Sequence, residues 1–146
     1  MAFYAAACQT DFPNPKTRTE IASHTKRMCA IIEQTIIGYE PFFDVRLLAF
    51  PEFAHAAPIY ETVAQLRKHL AVPVPNEHTT AYERLARKHG CYVQTGSFLE
   101  TDPDWPEAVF NTTVSPYLAT MAPLACFAIF PVSRMSARPP TSTDTW

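Results

Sequence analysis

The chain has 146 residues, of which 47% are hydrophobic and 18% are charged. This length and composition are typical of one globular domain that can bury a core. The net charge of −2, without any basic run, argues against an electrostatic site for nucleic acid or for an anionic membrane. We therefore expect the partner to be a small molecule or another protein.

The start of the chain, MAFYAAACQTDF, lacks the charged beginning and long apolar core of a secretory signal. Cys8, Cys29, Cys91 and Cys126 are scattered, without CxxC or metal-ligand spacing. This pattern is typical of reduced, mostly buried thiols in a cytoplasmic protein, so we expect no metal site and no cofactor. Two disulfides in a secreted protein are the less favoured alternative.

The N-terminal third predicts a strand, a long helix and a second strand. FYAAACQ is a short apolar run of strand length, and a capping box at Thr17 begins the helix. Apolar residues then recur at helical spacing over 21–39. The nearly continuous apolar run VRLLAF at 45–50 is typical of a strand covered on both faces in a parallel sheet.

Two helices and two strands are predicted next. The first helix has one or two turns within 61–70, and the second runs from a capping box at Thr80 to Gly90. The strands cover 91–100 and 109–114. The alternation of strands and helices predicts an α/β domain whose first three strands are parallel.

Glu52 follows the apolar strand at 45–50. In open α/β sheets, ligands bind beyond the carboxyl ends of the strands. A carboxylate there is expected to be partly desolvated, which suits a general base. The alternatives are an exposed loop acid or a helix N-cap partner. His55 could line a pocket nearby, but we favour a polar surface residue.

The composition changes after residue 114. All three glycines precede this point, and the run 115–133 carries no charge. No helical or strand period is clear there, and prolines would break a membrane-spanning helix. We expect 115–146 to be an irregular tail, divergent from the domain and disordered or poorly packed.

Four segments, ACQ, LLAFPEF, CYVQTGSFLE and VFNTTV, together resemble the N-terminal part of the nitrilase superfamily of carbon–nitrogen hydrolases. The resemblance covers roughly residues 3–114, and FPEF is its most specific part. It implies the N-terminal half of an α-β-β-α sandwich, with 1–114 as a partial hydrolase domain. It also implies a small nitrile, amide or carbamoyl substrate and oligomers with family relatives.

The resemblance further implies a catalytic glutamate, lysine and cysteine. The glutamate maps onto Glu52, which would be the base for a thiol that forms a thioester, while lysine stabilises the oxyanion. The other two groups have no match, since no lysine follows Lys88 and no acid follows the aromatic residue after Cys126. Lys68 precedes the second predicted capping box and is expected to be a solvated helix residue.

These residues lead to a truncated carbon–nitrogen hydrolase that we expect to be inactive alone, because removing one member of a catalytic unit already costs most of the rate. A frame shift, retained intron or alternative splice after residue 114 could have replaced the family's continuation. The alternative function is a non-catalytic module that docks on a full-length relative. A nucleotide-binding protein is disfavoured, because no GxGxxG or GxxxxGK loop is present.

Overall fold

The computed structural model describes residues 3–116 and the strand at 125–131. The rest of the predicted irregular tail, 117–124 and 132–146, lies outside the described residues. The elements in chain order are β1 (Tyr4–Ala7), α1 (Arg18–Tyr39), β2 (Val45–Ala49), α2 (Val63–His69), α3 (Glu77–His89), β3 (Tyr92–Gln94), β4 (Ser97–Glu100), β5 (Phe110–Ser115) and β6 (Ala125–Pro131). None of the helices in this part of the chain is long and apolar enough to cross a membrane.

The first three strands form a parallel sheet in the order β1-β2-β3, as predicted. Leu48 of the central strand is fully buried and pairs with Ala6 on one side and Val93 on the other. Helix α1 contacts α3 and turns a buried stripe inward, which contains Ile21, Thr25, Met28 and Ile32. The amphipathic helix and the parallel sheet therefore share one core.

Helix α1 has its N-cap at Thr17, as predicted, but the predicted capping box is wrong. The Thr17 hydroxyl, however, donates to the Glu20 carboxylate at 3.0 Å and makes no bond to a helix amide. Glu20 in turn accepts from the Lys16 N–H at 3.0 Å, so its carboxylate organises the entry to the helix.

The predicted start of α3 at Thr80 is wrong, because the helix begins at Glu77. Asn76 is the N-cap, and its side chain accepts from the N–H groups of His78 and Thr79. The Thr79 hydroxyl accepts from the Asn76 N–H at 2.9 Å, which completes a capping box. Asparagine is among the strongest N-cap residues, so the earlier box prevails. The predicted end at Gly90 is confirmed by its left-handed φ of 68°.

The single strand predicted for 91–100 is wrong, because the chain divides there into two strands in different sheets. β3 completes the parallel sheet, whereas β4 pairs antiparallel with β5. Gly96 lies between them with φ of 75°, and a Cβ atom there would lie 2.2 Å from the Pro51 carbonyl oxygen. Glycine is therefore required where the chain passes from one sheet to the other.

The second sheet is antiparallel in the order β4-β5-β6. The strand predicted at 109–114 is confirmed as β5, within one residue. The run 125–131 forms β6, which the prediction of an irregular tail did not anticipate. This uncharged segment pairs with the backbone of β5, a non-local partner that no short-range pattern identifies.

Candidate functional site

Glu52 lies just beyond the carboxyl end of β2, as predicted. Its side chain is exposed, in contrast to the expected partial desolvation. Asn111 Nδ2 donates to Glu52 Oε1 at 2.5 Å. The alternative of a helix N-cap partner is wrong, because the next helix is capped by Thr62.

The loop that carries Glu52 packs against the junction between β3 and β4, and we call the segments 50–56 and 94–98 together the loop joint. The Phe50 N–H donates to the Gln94 carbonyl at 3.0 Å, which continues the parallel sheet. The Phe53 N–H donates to Ser97 Oγ at 2.9 Å. Phe53 has φ of 56°, a strained value for a bulky residue that surrounding contacts must hold.

His55 is a buried anchor of the loop joint, so its prediction as a surface residue is wrong. Its exposed fraction is 0%, and its ring stacks on Phe98 with centroids 3.6 Å apart. Nδ1 lies 3.1 Å from the Ser97 carbonyl oxygen and must carry the proton, since a carbonyl only accepts. Nε2 therefore accepts from the Tyr82 hydroxyl at 3.0 Å.

The histidine is neutral, because burial lowers the pKa of His55 from 6.5 to about 3. Its hydrogen bonds connect the Glu52 loop to β4 and, through Tyr82, to helix α3. The one local signal for this burial is the flanking pair of Ala54 and Ala56, both of which are buried. His55 thus holds the backbone beneath Glu52 and is not itself at the surface.

Asn111 is the site residue that sequence reasoning did not single out, although its Phe-Asn-Thr segment carried part of the resemblance. Its exposed fraction is 7%, and its neighbour on the same face of β5, Thr113, donates from its hydroxyl to the Gly96 carbonyl at 2.8 Å. Asn111 Oδ1 is buried without a hydrogen-bond partner among the described residues. Asn111 and Glu52 are 59 positions apart in the sequence, so no local pattern predicts their contact.

The other candidate groups do not meet at Glu52. Burial raises the pKa of the Cys8, Cys29 and Cys91 thiols, which makes them poor nucleophiles. Their predicted packing role agrees with the burial of Cys8 and Cys91, whereas Cys29 is half-buried; the Cys126 side chain lies outside the described residues. Lys68 is exposed on α2, as predicted. The described part of the chain contains no cluster of three metal-binding side chains.

The parallel sheet, the antiparallel sheet and the Glu52 loop together define an α/β protein with a nitrilase-like fold, which agrees with the resemblance. Saccharomyces cerevisiae Nit3, a member of branch 10 of the nitrilase superfamily, matches with a TM-score of 0.54 and 21% identity. The match covers 67% of this chain and 35% of Nit3.

An N-terminal amidase solved with a Gln-Gly peptide matches with a TM-score of 0.57 and 15% identity, over 76% of this chain and 24% of the amidase. The C. elegans NitFhit protein matches with a TM-score of 0.52 and 18% identity, also over 76% and 24%. The chain thus spans from 24% to 35% of the length of these structures. No protein-family model and no curated protein matches the sequence.

Proposed function

We propose that residues 1–114 are part of a carbon–nitrogen hydrolase domain in which Glu52 is the general base. The observation that carries this proposal is the 2.5 Å hydrogen bond from Asn111 to Glu52, which joins the Phe-Asn-Thr and Phe-Pro-Glu segments across 59 residues. Both segments belong to the resemblance, and the nitrilase-like fold supports the same assignment. The parallel sheet with its helices would be the N-terminal half of an α-β-β-α sandwich.

In this reaction Glu52 accepts the proton of a cysteine thiol, and the thiolate attacks the carbon of a small nitrile or amide. With an amide, the C–N bond breaks, the amine leaves with a proton, and a thioester remains. Water then cleaves the thioester, which releases the acid and restores the thiol. A lysine stabilises the negative charge that develops on the substrate.

The described residues supply the base without the other two groups. Lys68 is exposed on α2, and Cys8, Cys29 and Cys91 are thiols of raised pKa within or against the core. A complete site therefore requires a nucleophile and a cation from segments that follow residue 114 in a full domain. We infer that the chain alone is inactive and that residues 115–146 replace the domain's own continuation.

The test is an assay of ammonia release from a panel of nitriles and amides. It compares this chain with a chain continued in the other reading frames of its source gene after codon 114. We expect activity only in a continued chain, reduced at least about a thousandfold by Glu52→Gln, as for loss of a catalytic group. Glu61→Gln, another exposed acid, is the control. If the 146-residue chain is active and Glu52→Gln abolishes that activity, the inferred inactivity is wrong.

A second candidate function, a non-catalytic module docking on a full-length nitrilase-fold relative, is favoured by an exposed aromatic cluster. The cluster consists of Tyr4 on the edge strand β1 with Tyr39, Phe42 and Phe43. Phe43 lies 4.7 Å from Tyr4 and 6.0 Å from Tyr39 between ring centroids, and Phe42 is 75% exposed. Such an apolar patch, beside a strand edge that pairs with no other strand of the described residues, is typical of an interaction surface.

Co-purification of the chain with a full-length relative tests this module. Phe42→Arg should abolish the association, because it places a charge in the aromatic cluster. Trp105→Arg is the matched control, because Trp105 is 63% exposed and lies outside the cluster. Retained association in the Phe42→Arg variant would exclude the aromatic cluster as the docking surface.

A further inference from the structure

The two polar atoms of the Asn111 side-chain amide differ in their bonding: one is hydrogen-bonded to Glu52, and the other is buried without a partner among the described residues. Because a carboxylate oxygen only accepts, the amide atom that faces Glu52 Oε1 at 2.5 Å is Nδ2. The remaining atom, Oδ1, is buried and has no hydrogen-bond partner among the described residues. A buried carbonyl oxygen without a donor lowers the stability of the folded chain.

Stability alone does not account for asparagine at this position. Asn111 is 7% exposed and begins the buried stretch of β5, where an apolar side chain of similar size would leave no acceptor unpaired. Its bonding partner, Glu52, is exposed, so the hydrogen bond contributes little to the core. Groups that lower stability without an evident structural gain are characteristic of functional sites.

We propose that Asn111 is a positioning residue that fixes the direction of the Glu52 carboxylate; this inference rests on the proposed function. The bond occupies Oε1 and leaves Oε2 as the oxygen that accepts the thiol proton. A base with one oxygen held and one free is oriented and still able to take a proton. Asn111 itself does not have to touch the reacting atoms.

The first test records the side-chain amide signals of Asn111 by ¹H–¹⁵N NMR at pH 7. They are assigned by their loss in Asn111→Leu. We expect the amide proton bonded to Glu52 to shift in Glu52→Gln, which replaces the charged acceptor by a neutral one. Glu61→Gln should leave the signal in place. Asn111 signals that are unchanged in Glu52→Gln overturn the inference.

The second test separates positioning from a structural role. Asn111→Leu should leave the thermal unfolding midpoint unchanged or higher, while ¹³C relaxation detects greater mobility of the Glu52 methylene groups. Thr113→Val, on the same face of β5, removes a satisfied bond and should lower the midpoint without mobilising Glu52. A fall in the midpoint of Asn111→Leu matching that of Thr113→Val, or an unchanged Glu52 side chain, overturns the inference.

The first test remains possible if Asn111→Leu does not fold, because the amide signals of Asn111 can also be assigned through their contacts to Glu52. Glu52 is exposed, so its substitution leaves the core intact. Neither test uses activity. The two NMR and unfolding tests can succeed while the chain extended after residue 114 keeps its hydrolase activity in Glu52→Gln. In that case the proposed function is wrong, and Asn111 still orders the Glu52 side chain. If both tests fail while the activity of the extended chain requires Glu52, only the inference about Asn111 is wrong.

Discussion

The loop joint differs in burial from the β1 edge, by which we mean strand β1 and the aromatic cluster of Tyr4, Tyr39, Phe42 and Phe43. In the loop joint, His55, Ser97 and Phe98 are at most 2% exposed, and their polar atoms are hydrogen-bonded. At the β1 edge, Tyr4 and Phe42 are 52% and 75% exposed. The buried side chains of the loop joint are closely packed. The β1 edge instead has exposed apolar side chains and a strand whose far side pairs with no described strand.

This difference separates a packed region from a surface that can take a partner. Strands with one free side and an apolar surface invite pairing with another chain or with further segments of their own. The loop joint needs no such partner, because its buried polar groups are hydrogen-bonded to one another. The described residues therefore hold the Glu52 loop in place, whereas the β1 edge leaves apolar side chains open to further contacts.

Protonation of His55 should have the largest effect on the loop joint. The pKa of His55 is about 3 when folded and about 6.5 when unfolded, so the unfolded chain binds the extra proton between these values. Stability is complete above about pH 6.5 and falls by up to about 5 kcal/mol as the pH drops to about 3, at about 1.4 kcal/mol per pKa unit. Denaturant unfolding at each pH measures this loss.

The variant His55→Gln should flatten that pH dependence. His78, whose pKa burial also lowers, would retain a part of it in the same direction. An equally steep loss in His55→Gln and in the parent chain would exclude His55 as its source.

The same substitution made in both regions compares them directly. Phe98→Ala removes a ring that is 1% exposed and stacked on His55, so we expect a loss of about 4 kcal/mol. Phe42→Ala removes a ring that is 75% exposed, and its effect should remain within about 0.5 kcal/mol. Chemical denaturation measures both, and equal losses would mean that the β1 edge is packed in solution.

Glycine substitutions should change the free energy of unfolding less than the changes at His55 and Phe98. Gly96→Ala forces a left-handed residue and a Cβ atom onto the Pro51 carbonyl, so we expect a loss of about 3 kcal/mol. Gly38→Ala, in the last turn of α1 with nothing within 4 Å, should gain about 0.5–1 kcal/mol. A Gly96→Ala chain as stable as its parent would mean that the loop joint can shift freely.

Much of the fold follows from local patterns in the sequence. The periodicity over 21–39, the apolar run at 45–50 and the left-handed end at Gly90 each identify an element that the structure contains. The position of Glu52 beyond β2 also follows, because the carboxyl end of a strand is a local property. One error, the start of α3, arises because two local signals compete, the capping boxes at Asn76 and Thr80.

The burial of His55, the division of the strand at Gly96 and the contact between Asn111 and Glu52 required the tertiary structure. Each depends on segments that approach from more than forty positions away, namely Ser97 for His55, Pro51 for Gly96 and Asn111 for Glu52. The sequence by itself determined that a carboxylate would follow an apolar parallel strand, because hydrophobic periodicity and turn chemistry act over a few residues, although only Leu48 of β2 is buried. Only the tertiary structure decided which atoms meet that carboxylate, because packing and hydrogen bonding act between segments whose distance along the chain carries no signal.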